Sequence, residues 1–99
     1  MRRLRRWTAE SWALPAELRT AGAAAPRRAD VAAAAVQRIA DLGAGAERRP
    51  PRPVPRLADP VLADQLAVVV GDVLRVAEPD AVAGTLAELS ALRAALGFR

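Results

Sequence analysis

The feature that most limits the fold of this chain is a run of prolines near its middle. Four of the six residues from 50 to 55 are proline. Proline fixes φ and lacks a backbone donor, so this stretch excludes helix and central β-strand and favours an extended, polyproline-like spacer. We therefore predict an Arg/Ala-rich N-terminal helical segment (1–47), a Pro/Arg-rich linker (48–58) and a C-terminal helical hairpin (59–97).

The C-terminal part carries the clearest helical periodicity. Asp59 and Pro60 provide an N-cap followed by proline at the first helical position, and an apolar stripe then runs to about Val76. Glu78-Pro79-Asp80 marks a turn and starts a second helix, for which Gly97 is the expected stop. Because the connection is so short, the two helices are predicted to form an antiparallel αα-hairpin.

The N-terminal part predicts one or two shorter helices. Leu4 and Trp7 begin a short amphipathic helix over about residues 2–13, which Pro15 interrupts. A second helix is expected between Asp30 as its N-cap and Gly43 as its C′ stop, with a mostly alanine apolar face that buries little surface. The fold class predicted for the whole chain is all-α.

The composition excludes several kinds of chemistry. Of 99 residues 25 are Ala, all 15 basic residues are Arg, and His, Cys, Lys, Tyr and Asn are absent. No disulfide and no zinc-finger, iron–sulfur or haem-His site can form. The Ser and Thr hydroxyls have no His or Lys to activate them, and no P-loop, nucleophile elbow or dinucleotide fingerprint occurs. We expect no enzyme, no cofactor, no metal and no small-molecule substrate.

Charge is distributed unevenly along the chain. Residues 1–56 hold 12 Arg against five acids, and residues 57–99 hold three Arg against six acids. The cluster of Arg2, Arg3, Arg5 and Arg6 beside Trp7 is a candidate contact for nucleic-acid phosphates or for an anionic membrane surface. A codon bias toward G and C would also produce an Ala- and Arg-rich chain, so the cluster by itself identifies no partner.

The hairpin is too small to be stable on its own. Domains below about 40 residues usually need disulfides, metal or oligomerisation, so residues 59–97 need either the N-terminal helices or another chain. Our leading hypothesis is a small, non-enzymatic helical interaction protein that associates with itself or with a protein partner through this hairpin. The predicted interface comprises Leu62, Leu66, Val69, Val73, Val82, Leu86, Leu89 and Leu96.

Two alternatives use the N-terminal half of the chain. One is a nucleic-acid-associated accessory protein that binds through the Arg-rich residues, and the other is a peripheral membrane adaptor anchored by residues 2–18. The most apolar run, from Leu66 to Val70, is far too short for a membrane span, and Glu10 and Glu17 interrupt the stretch in which an export signal needs its apolar core. We therefore expect a cytoplasmic protein.

Overall fold

The computed structural model of the chain describes Trp12 and residues 27–97. Within these residues there are three α-helices and no β-strand: α1 (Arg28–Ala46), α2 (Leu62–Val76) and α3 (Pro79–Ala95), with a 3₁₀ turn (Asp59–Val61) directly before α2. The all-α prediction is confirmed for this part of the chain. The helix predicted over residues 2–13 lies outside the described residues, apart from Trp12.

Helix α1 is longer at both ends than the sequence predicts. Arg27, in extended conformation, is its N-cap, and Asp30 lies in the first turn. At the other end the helix continues past Gly43 to Ala46, and the chain leaves through the positive φ of Arg48 (56°). Gly43 is not a stop because it is packed against α2, where an added Cβ would lie 3.5 Å from Cγ2 of Val73.

The ends of α2 and α3 are set by local signals that only partly match the prediction. Asp59 is not the N-cap of α2: it lies in the 3₁₀ turn, whose N-cap is Ala58, and the N-cap of α2 is Val61, which makes no side-chain capping bond. Helix α2 ends at Ala77, whose φ of 56° is left-handed. The carboxylate of Glu78 caps α3 by accepting hydrogen bonds from the backbone N–H groups of Asp80 (3.1 Å) and Ala81 (2.7 Å). Helix α3 then runs to Ala95, and Gly97 takes the positive φ (79°) of a stop.

Helix α1 holds the other two helices together. It packs against both α2 and α3, whereas α2 and α3 make few contacts with each other. This differs from the predicted hairpin, whose two helices would be mutual neighbours. Alanines such as Ala32 and Ala35 on the buried face of α1 let two helices approach it closely, since a methyl side chain keeps little distance between backbones.

The core is one continuous apolar cluster that includes the N-terminal half of the chain. Ile39 of α1 and Val73 of α2 are completely buried, and Trp12 is buried in the same cluster. Residues 59–97 therefore obtain their cover from α1 and Trp12. The sequence leaves open whether the N-terminal helices or another chain cover residues 59–97. In the structure this cover comes from the chain itself.

Candidate protein-interaction surface

The eight predicted interface residues divide between the core and the surface. Half of them belong to the buried core of the chain, since each is no more than 5% exposed. Val69, Val82 and Leu89 are partly buried against that core, and Leu86 is 61% exposed. The structure thus places only Leu86 fully on the surface. The buried half consists of Leu62, Leu66, Val73 and Leu96.

Apolar side chains that the sequence pattern did not single out lie exposed on α2. Val68 is 63% and Leu74 is 55% exposed. Both lie away from the apolar stripe of α2, so a helical-wheel average assigns them to the polar side of the helix. The signal that could have found Val68 is its spacing of seven residues from Val61, which places both side chains on one outer face.

A shallow apolar groove runs along this outer face. It has a volume of about 350 Å³ and lies between Val54 of the linker and the start of α2. Val61 and Val68 line it together with Val69, and the side chains of Asp64 and Gln65 border it. The groove exists because the linker lies against α2 at Val54 without covering the valines beyond it.

Two glutamines hold the linker in this position. The backbone N–H of Val54 donates to Oε1 of Gln37 (2.7 Å), and Nε2 of Gln37 donates to the carbonyl of Arg52 (3.0 Å). Nε2 of Gln65 donates to the carbonyl of Pro55 (3.0 Å). We call residues 49–58, held by these bonds, the strap. Outside its two ends, where the N–H of Arg49 donates to the carbonyl of Ala44 and the carbonyl of Ala58 accepts from Val61, side chains supply hydrogen bonds to its backbone.

Arg56 ties the strap to the beginnings of α1 and α2. Its guanidinium donates to the carbonyl of Ala29 (3.2 Å) and to the carboxylates of Asp30 (3.2 Å) and Asp59 (3.4 Å). Asp30 also accepts from Arg27, and this hydrogen bond, together with the attraction of the two charges, raises the pKa of Arg27. Asp30 and Asp59, which the sequence predicts as helix N-caps, therefore bind arginine side chains instead.

Acids neutralise part of the basic charge in the linker. Arg49 pairs with Glu47, and Arg56 pairs with Asp30 and Asp59. On α2, Arg75 pairs with Asp72 (2.6 Å), and Arg38 of α1 pairs with Glu88 of α3 (2.8 Å). The described surface is thus a mixture of both signs rather than a basic face. The predicted contact residues Arg2, Arg3, Arg5, Arg6 and Trp7 lie outside the described residues.

The described residues offer no metal centre and no membrane-spanning helix. No group of three or more acidic side chains in this part of the chain is arranged to hold a metal ion. None of its helices combines the length and apolar character needed to cross a bilayer. The described residues do carry exposed apolar side chains on α2 and α3.

Comparisons with protein-family models, with curated proteins and with solved structures found no match to this chain.

Proposed function

We propose that this protein is a small, non-enzymatic helical interaction module that binds a second copy of itself or another protein through the outer faces of α2 and α3. The observation that carries the proposal is the exposed apolar surface of these helices, above all Val68 at 63% and Leu86 at 61% exposure. Complete burial of a valine or leucine side chain contributes about 1.5–3 kcal/mol. A partner that covers these side chains gains part of that free energy.

Several large apolar residues of α2 pack inside the chain, and Val68 is not among them, which supports this proposal. Leu62, Leu66 and Val73 of α2 fill the core, so the exposed valine at position 68 adds nothing to that packing. The groove beside Val68 gives a partner side chain a place to enter. An exposed apolar groove with a polar border is typical of protein-interaction surfaces.

The test compares the full-length chain with the double variant Val68→Asp/Leu86→Asp. Both positions are exposed, so we expect the variant to keep its helical circular dichroism and its thermal unfolding midpoint. Association is measured in two ways: sedimentation over a range of protein concentrations detects self-association, and affinity capture from the native cell followed by mass spectrometry detects other partners. We expect at least one of these signals in the wild-type chain, and its loss in the variant.

The matched control is Ala34→Asp/Ala58→Asp, which adds the same two charges at exposed positions outside α2 and α3. This variant should associate as the wild-type chain does. A wild-type chain with neither self-association nor a captured protein, or with partners that the Val68→Asp/Leu86→Asp variant retains, contradicts the proposal.

The two alternatives from the sequence predict different readouts. Binding through Arg2, Arg3, Arg5 and Arg6 to nucleic acid weakens steeply as salt rises, and replacing the four arginines with alanine abolishes it. Anchoring by residues 2–18 gives co-sedimentation with anionic but not with neutral vesicles. Neither binding mode depends on Val68 or Leu86, so the double variant separates them from the proposed function.

A further inference from the structure

One narrow stripe on the outer face of α2 is complementary to itself. Asp64, Val68, Gly71 and Arg75 follow one another at spacings of 4, 3 and 4 residues, the spacing of the contact positions in a coiled coil. At 100° per residue all four lie within an arc of about 60°. All four are exposed, on the side of α2 that points away from α1.

The glycine in this stripe has no packing role within the chain. A Cβ added at Gly71 would meet no atom within 4 Å, whereas one at Gly84 would lie 3.0 Å from Cδ1 of Leu42 and one at Gly43 would lie 3.5 Å from Val73. A glycine inside a helix lowers stability by about 1 kcal/mol relative to alanine. Packing within the chain does not require a glycine at position 71. Close approach of another molecule at this point accounts for it.

We propose that two copies of the chain form an antiparallel homodimer through this stripe. The inference rests on the proposed function and names its partner. A twofold axis that passes between the two α2 helices, at the level between residues 69 and 70, brings Val68 of each copy to the level of Gly71 of the other. The same axis places Asp64 of each copy opposite Arg75 of the other. The large side chain thus meets the position without one, and each negative charge meets a positive charge.

The charges select this direction of pairing. A parallel pair would bring Asp64 against Asp64 and Arg75 against Arg75, which is repulsive. In the antiparallel pair the guanidinium of Arg75 keeps its bond to Asp72 (2.6 Å) and uses its remaining donors for Asp64 of the second copy.

The flanks of the stripe fit the same arrangement. A twofold axis perpendicular to the helices brings the same flank of both copies together. On one flank lie Leu74, which is 55% exposed, and the half-buried Ala67, so the two copies cover each other's apolar surface there. On the other flank lie two half-buried polar residues, Gln65, which bonds the strap, and Asp72, which bonds Arg75. The dimer therefore has one closed apolar edge and one polar edge.

The first test is a charge exchange measured by sedimentation equilibrium of the full-length chain. The interface is about one short helix per copy, so we expect weak association with a dissociation constant in the micromolar to millimolar range. Asp64→Arg alone and Arg75→Asp alone each raise this constant by about fivefold to tenfold, since each change replaces two attractions with two repulsions. The double variant Asp64→Arg/Arg75→Asp restores it to within about twofold. Failure of the double variant to restore association overturns the proposal.

The second test uses the absence of cysteine from the sequence. Val68→Cys and Gly71→Cys proteins are mixed and oxidised, and the dimer predicts a disulfide between position 68 of one copy and position 71 of the other. Ala83→Cys on the exposed face of α3 is the control, and its mixture with Val68→Cys should cross-link at least about tenfold more slowly. Equal rates in the two mixtures contradict the dimer.

The outcomes keep this inference separate from the proposed function. A chain that stays monomeric at millimolar concentration, yet captures a protein in a manner that depends on Val68, overturns the dimer and leaves the proposed function standing. If Val68→Asp/Leu86→Asp abolishes self-association and the charge variants leave it unchanged, the dimer is likewise overturned and the proposed function stands. A monomer that captures nothing overturns both.

Discussion

Gly71 and Gly84 have different roles in the packing of this chain, and the difference follows from the atoms that surround each of them. In α2 the missing side chain of Gly71 leaves open space, whereas in α3 Gly84 lets Leu42 of α1 approach to 3.0 Å from the position of its absent Cβ. Within a single chain the first glycine only loosens its helix, whereas the second allows two helices to pack closely.

Substitution by alanine separates these two roles. We expect Gly71→Ala to raise the free energy of unfolding by about 1 kcal/mol through helix propensity alone. Gly84→Ala gains the same propensity but requires Leu42 to move by a few tenths of an ångström, so its net effect is zero or destabilising. Urea denaturation at low protein concentration measures both. An equal gain for the two variants would show that α1 and α3 are less tightly packed than the structure indicates.

Thr85 is a buried hydroxyl with no hydrogen-bond partner among the described residues. It is 2% exposed and lies within α3. We expect Thr85→Val, which keeps the shape and removes the hydroxyl, to stabilise the fold by about 1 kcal/mol, because an unpaired buried hydroxyl is destabilising. Thr85→Ser keeps the hydroxyl and loses a methyl group, so it should destabilise by about 1 kcal/mol. Thermal unfolding that ranks serine above valine would contradict this assignment.

At the scale of elements, the strap is the part whose position depends most on individual side chains. Gln37 satisfies the half-buried N–H of Val54 and the carbonyl of Arg52, while Gln65 bonds the carbonyl of the exposed Pro55. The two glutamines therefore differ in what their removal leaves unpaired.

We expect Gln37→Ala to destabilise the protein by about 1–3 kcal/mol, because it leaves the N–H of Val54 without an acceptor. Gln65→Ala is the matched control and should cost less than about 1 kcal/mol, since water replaces its bond at an exposed carbonyl. Limited trypsin digestion provides a second readout at the bond after Arg56, which should be cut faster in Gln37→Ala. Equal cleavage of both variants would show that Gln37 does not hold the strap.

The sequence predicted those elements whose signals are local. Pro79 and Gly97 bound α3 as expected, because proline at a helix start and glycine after a helix end act through their own backbone angles. The predicted ends of α1 were wrong. Asp30 and Gly43 are residue types that often cap helices, but here Asp30 binds Arg56 and Gly43 packs against Val73. The strap contacts were not predictable, since Gln37 and Gln65 lie on polar faces whose relation depends on how α1 and α2 pack.

The candidate surface shows the same limit. The apolar periodicity of α2 identified Leu62, Leu66 and Val73 correctly as apolar face residues, but it could not say which molecule covers them. The structure gives that cover to α1, and the exposed Val68 becomes visible only when the packed faces are known.

For the whole molecule, stability depends on a small core formed around α1. A chain of this size has a free energy of unfolding of about 5–15 kcal/mol. Ile39 of α1 is completely buried, so we expect Ile39→Ala to destabilise the protein by about 2–5 kcal/mol, a substantial share of that free energy. Leu86→Ala removes a side chain that is 61% exposed and should cost less than about 1 kcal/mol. Circular dichroism melts compare the two, and similar losses would place Leu86 in the core.

The central position of α1 also determines the order in which the molecule assembles. The turn at Ala77 and Glu78 joins neighbouring helices that touch each other little, so its early formation gains almost no stabilising contact. The contacts that matter join α1 to helices that follow the strap, and the entropy of closing that loop must be overcome first. We therefore expect the folding rate to depend mainly on the strap and on the buried face of α1, and substitutions in the α2–α3 turn to act mainly on the rate of unfolding.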